Sequence, residues 1–159
     1  MISIAIAVAV AITIRTFIFE PIFVSGDSMI PTLLNGESLG VEKVSRYSSL
    51  PARGEIVIVT DPDNSETLVK RVVGLPGDTI EVKNSKLYIN GKEQSEPYIS
   101  KSPYNDMKAV TVPEDTVFVM GDNRANSKDS RFFGPVDRDL IMGHALFVIW
   151  PFTQIHSIA

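Results

Sequence analysis

Cysteine is absent from the 159 residues, which excludes disulfides, thiol nucleophiles and zinc–thiolate sites. Histidine is scarce. His144 lies in the apolar run Ile141-Met142-Gly143-His144-Ala145-Leu146-Phe147, where a packed strand histidine is expected, and His156 sits near the C-terminus, where a mobile side chain is expected. Neither is followed by the acid-bearing pattern of a Ser-His-Asp triad. The net charge is −4 and no basic cluster follows residue 20, so the chain lacks the Lys/Arg density that binding to nucleic-acid phosphates requires. Long amphipathic helical patterns are missing from the body of the chain. A full-length apolar run is missing too. Ile2 to Ile14 carry no charge, but a spanning helix needs about 20 apolar residues.

That N-terminal stretch reaches spanning length only if Arg15 lies at the interface and snorkels, with Phe17, Ile18 and Phe19 resuming the apolar character. A removable signal peptide is the rival reading. No basic region precedes the stretch, and the apolar character runs on through Pro21-Ile22-Phe23-Val24. We therefore expect a membrane anchor over residues 1–20, with no flanking charge to set its orientation. Residues 21–159 read as one mainly antiparallel β domain. Period-two or buried-type strands are expected at Leu39–Val44, around Glu55–Val59, at Thr67–Val73, Thr79–Lys83, Lys86–Ile89, Thr116–Met120 and Ile141–Trp150. Asn84-Ser85 and Asn90-Gly91 are hairpin-type turn signals. Residues 93–105 are polar, contain Pro97 and Pro103, and read as a surface excursion.

Three segments carry the chemistry. The first is Ser25-Gly26-Asp27-Ser28-Met29-Ile30-Pro31-Thr32-Leu33. A Ser-x-x-Ser near a proline is by itself an ordinary turn. Pro31 biases Ile30 away from helix, so Ser28 is expected on irregular backbone at a rim, with its amide N–H free. The second is Leu68-Val69-Lys70-Arg71-Val72-Val73-Gly74-Leu75-Pro76-Gly77-Asp78. On a strand Lys70 shares a face with Leu68 and Val72, while Arg71 points to the other side. A solvated lysine fits that pattern. A buried one would fit as well, and burial disfavours the charged amine. The third is Gly121-Asp122-Asn123-Arg124-Ala125-Asn126-Ser127-Lys128-Asp129-Ser130-Arg131, which taken alone is a turn with a surface ion pair between Asp129 and Arg131.

In this order, behind an apolar N-terminus, the three segments resemble those of type I signal peptidase (leader peptidase), a family that works with a serine–lysine dyad. The resemblance runs from the apolar segment to the closing Gly143-His144-Ala145. It implies Ser28 as nucleophile and Lys70 as general base. It implies that the Ser127 hydroxyl hydrogen-bonds the lysine, that Asp122, Asp129 and Arg131 shape the site through salt links with Arg71 as a further supporting residue, and that shallow apolar pockets near Met29 and Ile30 take small substrate side chains. Some members carry a serine whose hydroxyl helps the oxyanion hole where this chain has Gly26, so backbone N–H groups must do more here. The implied substrates are signal peptides of exported preproteins, cut after small residues at the first and third positions before the bond. No metal or organic cofactor is implied, and oligomeric state is left open. The implied location is a single-pass protein of the cell membrane with its catalytic domain outside the cytoplasm. A cytoplasmic segment commonly precedes the helix in this family, so we read the start here as trimmed, misassigned or naturally short. Phe132 and Phe133 would pack in the core or touch the bilayer. Two other readings fit parts of the pattern: a self-cleaving serine–lysine protease of the SOS-repressor type, and a non-enzymatic membrane-tethered β module.

Overall fold

Alternating apolar residues punctuated by Gly, Asn and Pro become two antiparallel sheets in the computed structural model, which describes residues 2–13 and 18–158. The N-terminal stretch forms the helix α1 (Ile2–Thr13). Its Ile4, Ile6, Val8, Val10 and Ile12 are exposed. Among the described residues no helix is long and apolar enough to cross a membrane. The expected roles of Arg15 and Phe17 fall outside the described residues.

The large sheet contains β1 (Phe19–Phe23), β2 (Ser38–Glu42), β3 (Ile56–Thr60), β4 (Thr67–Gly74), β9 (Thr116–Met120), β10 (Val136–Asp137) and β11 (Ile141–Trp150). Their order is β1-β2-β11-β3-β4-β9-β10, with β12 (His156–Ser157) added to β11. The small sheet contains β5 (Thr79–Lys83), β6 (Lys86–Ile89), β7 (Lys92–Glu93) and β8 (Met107–Thr111), in the order β7-β6-β5-β8. A one-turn helix, α2 (Ser130–Phe133), follows the third motif. Asn84 and Ser85 both have positive φ, 50° and 58°, the backbone that a two-residue hairpin turn needs to match strand twist.

Every pairing in the large sheet is antiparallel, so β1 and β4, four steps apart, run the same way. Register shifts in β11 and β4 mark bulges, which bend a sheet and increase its twist. The sheet curls until β1 and β4 line one cleft although three strands separate them in the order. Beneath the cleft lies an apolar cluster that includes Val24, Met29, Leu33, Ile58 and Val69. Val57, Val59, Val72, Val119 and Ile141 form a second cluster, and Val73, Ile80, Leu87, Phe118 and Met120 a third.

Two longer strands were not legible. β1 carries Pro21, which has no N–H and argues against a strand interior. It is tolerated because β1 is the edge of the sheet. β1 also starts at Phe19, inside the segment expected to be anchor. β8 is mostly exposed and shows no clean alternation. His144 is buried, with Nδ1 2.9 Å from a Glu55 carboxylate oxygen. His156 is not a loose terminus: it pairs with Val148. Phe133 packs on the Val57 cluster, whereas Phe132 is exposed.

Candidate active site

Ser28 follows β1 on an irregular turn. The Leu33 N–H donates to the Met29 carbonyl and the Ile30 N–H to the Asp27 carbonyl. Buried Met29 and Leu33 anchor this turn in the core, which leaves Ser28 half-buried at the rim. Lys70 arrives from β4. Its cross-strand partner is Val57, and Leu68 and Val72 pack with Val57 in the same cluster. Lys70 is 2 % exposed. Its Nζ donates to Ser28 Oγ at 2.8 Å and to the Val69 carbonyl at 3.0 Å. Burial is the main cause that pushes its pKa down to about 8; Asp129 and Asp122 pull upward and Arg131 downward. A lysine near that value is a competent proton acceptor close to neutral pH.

The two carboxylates that act most strongly on Lys70 are each held by an arginine. Asp122 is fully buried and receives Arg71 Nε at 2.9 Å, Arg71 Nη2 at 2.7 Å and the Thr32 hydroxyl at 2.5 Å. This cluster joins all three motif segments. Asp129, also fully buried, receives Arg131 Nε and Nη2 at 2.8 Å each and the Gly121 N–H at 2.9 Å. It caps α2 as well, by accepting from the Arg131 N–H. The pair expected at the surface from sequence alone is therefore internal.

At Gly121 the first and third segments pack closely. A Cβ there would overlap both Ser127 Oγ and the Ser28 carbonyl oxygen. Ser127 is thus beside the site, but the expected hydrogen bond to Lys70 is not formed. The amine is turned to Ser28 and to its neighbour's carbonyl, and Ser127 Oγ is buried without a hydrogen-bond partner among the described residues. Met29 lines the cleft beside Ser28, while Ile30 does not.

Residues 93–105 do more than bridge two strands. Glu96 takes Arg124 in a two-pronged ion pair, at 2.8 and 2.6 Å, with both side chains buried. The Tyr98 ring lies 4.2 Å from the Arg71 guanidinium carbon, at cation–π distance. Ser100 donates its N–H to the Asp122 carbonyl. Nothing in the local pattern marks Glu96, Tyr98 or Ser100, because their partners lie 22 to 28 positions away.

The cleft between β1 and β4 has a volume of about 430 Å3. A separate cavity of about 300 Å3 lies behind Ser127, beside Arg124 and Arg131. Its two cations are already paired, so the free chemistry sits in the first cleft. Among the described residues no group of three or more His, Asp or Glu is arranged to hold a metal ion.

Two outcomes follow from this geometry. Between pH 8 and pH 10.5 the unfolded chain holds the Lys70 proton and the folded chain does not, so stability rises with pH across that window. Below it the folded protein carries a buried charge. Lys70→Met should therefore raise stability at pH 7 by up to roughly 3 kcal/mol, with the gain vanishing near pH 10.5, as read by denaturant melts across pH. Gly121→Ala should force Ser28 and Ser127 apart, and acylation of Ser28 by a β-lactam-type reagent should slow at least tenfold.

A family model described as "Signal peptidase, peptidase S26" matches residues 1–150. The chain is 46 % identical to Signal peptidase I of Bacillus licheniformis over 98 % of its own length and 89 % of that protein. It is 44 % identical to Signal peptidase I T of Bacillus subtilis (strain 168) over 98 % and 86 %. The crystal structure of a signal peptidase I from Enterococcus faecalis V583 superposes with a TM-score of 0.54 at 37 % identity, covering 60 % of this chain and 97 % of that one. With a buried lysine on a serine hydroxyl and these relatives over nearly its full length, the chain belongs to the type I signal peptidases, the serine peptidases of family S26.

Proposed function

We propose that this protein removes signal peptides from exported preproteins, with Ser28 as nucleophile and Lys70 as general base, while its N-terminal segment tethers it to the membrane. The observation that carries the reading is the 2.8 Å contact between a buried, low-pKa amine and the Ser28 hydroxyl. The signal-peptidase relatives supply the substrate class.

A preprotein enters the cleft as an extended strand. Among the described residues β1 is an edge strand with one free side, so its outer N–H and C=O groups are available to a peptide added beside it. β1 and β4 run towards Ser28 and Lys70 from the same end. A peptide lying parallel to both brings its scissile carbonyl to Ser28, with the residues before the bond spread along Ile22, Val24, Met29, Leu68 and Val69. Shallow apolar ground of this kind suits small side chains.

Neutral Lys70 takes the Ser28 proton as Oγ bonds to the carbonyl carbon. The carbonyl π pair moves to oxygen, and the Ser28 N–H stabilises the oxyanion. Collapse expels the new N-terminus of the mature protein, whose nitrogen takes the proton from Lys70. A water then attacks the acyl-enzyme, Lys70 takes its proton, and Ser28 leaves with it. Asp122, Asp129, Arg71 and Arg131 hold the segments in place and touch no reacting atom. The Ser127 hydroxyl, packed against Gly121 beside the Ser28 carbonyl, is a further neutral acceptor on offer to the amine. On the membrane side, α1 presents exposed Ile and Val. Phe23, Trp150, Phe152 and Ile155 are exposed on the domain, an apolar set that suits contact with a bilayer.

The test is cleavage of a preprotein with an Ala-x-Ala site by detergent-solubilised protein, with the new N-terminus sequenced. Cleavage should follow the second alanine, Ser28→Ala and Lys70→Ala should abolish it, and protein incubated alone should stay intact. A Lys70→Ala protein that still cleaves would overturn the dyad. The kcat/KM of the wild type should rise with pH and level off above about 8.

A further inference from the structure

The turn that carries Ser28 is held from the third motif at two points. The Asn123 N–H donates to the Ser28 carbonyl at 3.0 Å. The Asn123 carboxamide nitrogen donates to the Asp27 carbonyl at 3.0 Å. The Asp27 carbonyl and the Ser28 N–H belong to one peptide unit, and that unit is trans: the cis bonds are Ile30–Pro31 and Trp150–Pro151. In a trans unit the C=O and N–H lie in one plane and point in opposite directions across the C–N bond. The Asn123 carboxamide, together with the Ile30 N–H of the same turn at 3.2 Å, fixes the Asp27 oxygen, and this aims the Ser28 N–H the opposite way. That N–H donates to no acceptor among the described residues.

The neighbouring candidate donor is unavailable. Gly26 has no hydroxyl, and its N–H is taken by Asn35 Oδ1 at 3.0 Å. Asn123 is itself braced from outside. Ser100 Oγ donates to its Oδ1 at 3.4 Å, which leaves the amide nitrogen for Asp27. Ser100 lies on the strap that Glu96 ties to Arg124.

We propose that Asn123 is a positioning residue that aims the Ser28 N–H at the developing oxyanion. The proposal rests on the acyl-transfer reading above. A misaimed donor costs the transition state and leaves the bound substrate nearly untouched, because charge on the carbonyl oxygen appears only as the bond forms.

The variants are Asn123→Ala, which keeps the backbone hydrogen bond, and Asn123→Asp, which keeps the shape but lacks the donor. Both should lower kcat by about 10- to 100-fold, somewhat less than loss of a whole oxyanion donor, with KM near wild type. Affinity for a peptide aldehyde, which forms a tetrahedral oxyanion on Ser28, should fall by a similar factor. Affinity for an uncleavable preprotein with proline after the cleavage site should stay unchanged. In the alanine variant the plateau of the pH profile should remain near 8, because Lys70 is untouched. Thermal melts monitor folding. Wild-type kcat in either variant overturns the proposal, as does equal loss of the aldehyde and the uncleavable preprotein in a variant that melts like wild type. An alanine variant that fails to fold leaves the decision to the aspartate variant, which preserves packing volume. Should neither variant melt as a folded protein, Asn123 is a stability residue and the positioning role is rejected. Ser28→Ala run in parallel separates the two ideas. If it cleaves like wild type, the acyl-transfer reading fails. If it is inactive while Asn123→Ala is fully active, only the role of Asn123 falls.

Discussion

An amine that must accept a proton near neutral pH has to be kept dry, and no carboxylate may rest on it. Both conditions hold around Lys70. Valines and Leu68 take its face of β4 out of water, and the amine spends its hydrogen bonds on a hydroxyl and a carbonyl, both neutral acceptors. Three buried aspartates pull its pKa upward, Asp129, Asp122 and more weakly Asp61, which is paired with Lys128. The first two carry the stronger pull. Each is engaged by two nitrogens of an arginine, Asp122 by Arg71 and Asp129 by Arg131. The carboxylates thus organise the site while much of their field is cancelled. A buried ion pair is a costly way to gain stability. Its use here is better understood as fixing three chain segments around one amine that would otherwise be drawn to a carboxylate.

The same arrangement links the fold to the cleft. Curling of the large sheet brings the free edge of β1 opposite β4. The Ser28 turn then closes one end of the space between them, with Met29 and Leu33 sunk into the apolar cluster below. The third motif packs against the back of that turn so closely that only glycine fits at position 121. Residues 93–105 press on the site from outside, through Glu96 and Ser100 on the third motif and Tyr98 on Arg71. The serine is therefore set by contacts from several segments, and its amide N–H donates to no acceptor among the described residues.

Much of this was legible locally. Alternation and Asn-Gly type turns marked the hairpins of the small sheet and the inner strands of the large one, because those strands bury one face or both. β1 and β8 escaped notice because an edge strand need not alternate and can hold a proline. Three linear motifs exposed Ser28, Lys70 and the third segment through the family they resemble. The strap residues left no trace, since a glutamate or tyrosine in a polar loop looks the same whether or not it meets a buried arginine.

Sequence alone determined which groups are available: one serine in a glycine- and proline-bounded turn, one lysine between apolar neighbours, and no cysteine or triad histidine to compete. It also determined that the body is β, since side-chain periodicity is a local property. Tertiary structure decided that Ser28 and Lys70 meet across 42 positions, that Asp129 and Arg131 are internal, that Ser127 lies against Gly121 beside the Ser28 carbonyl without bonding the amine, and that residues 93–105 brace the site. Each of these depends on how strands curl and stack, and so on which distant groups are removed from water together. Desolvation is a property of the assembled surroundings that no stretch of chain carries by itself.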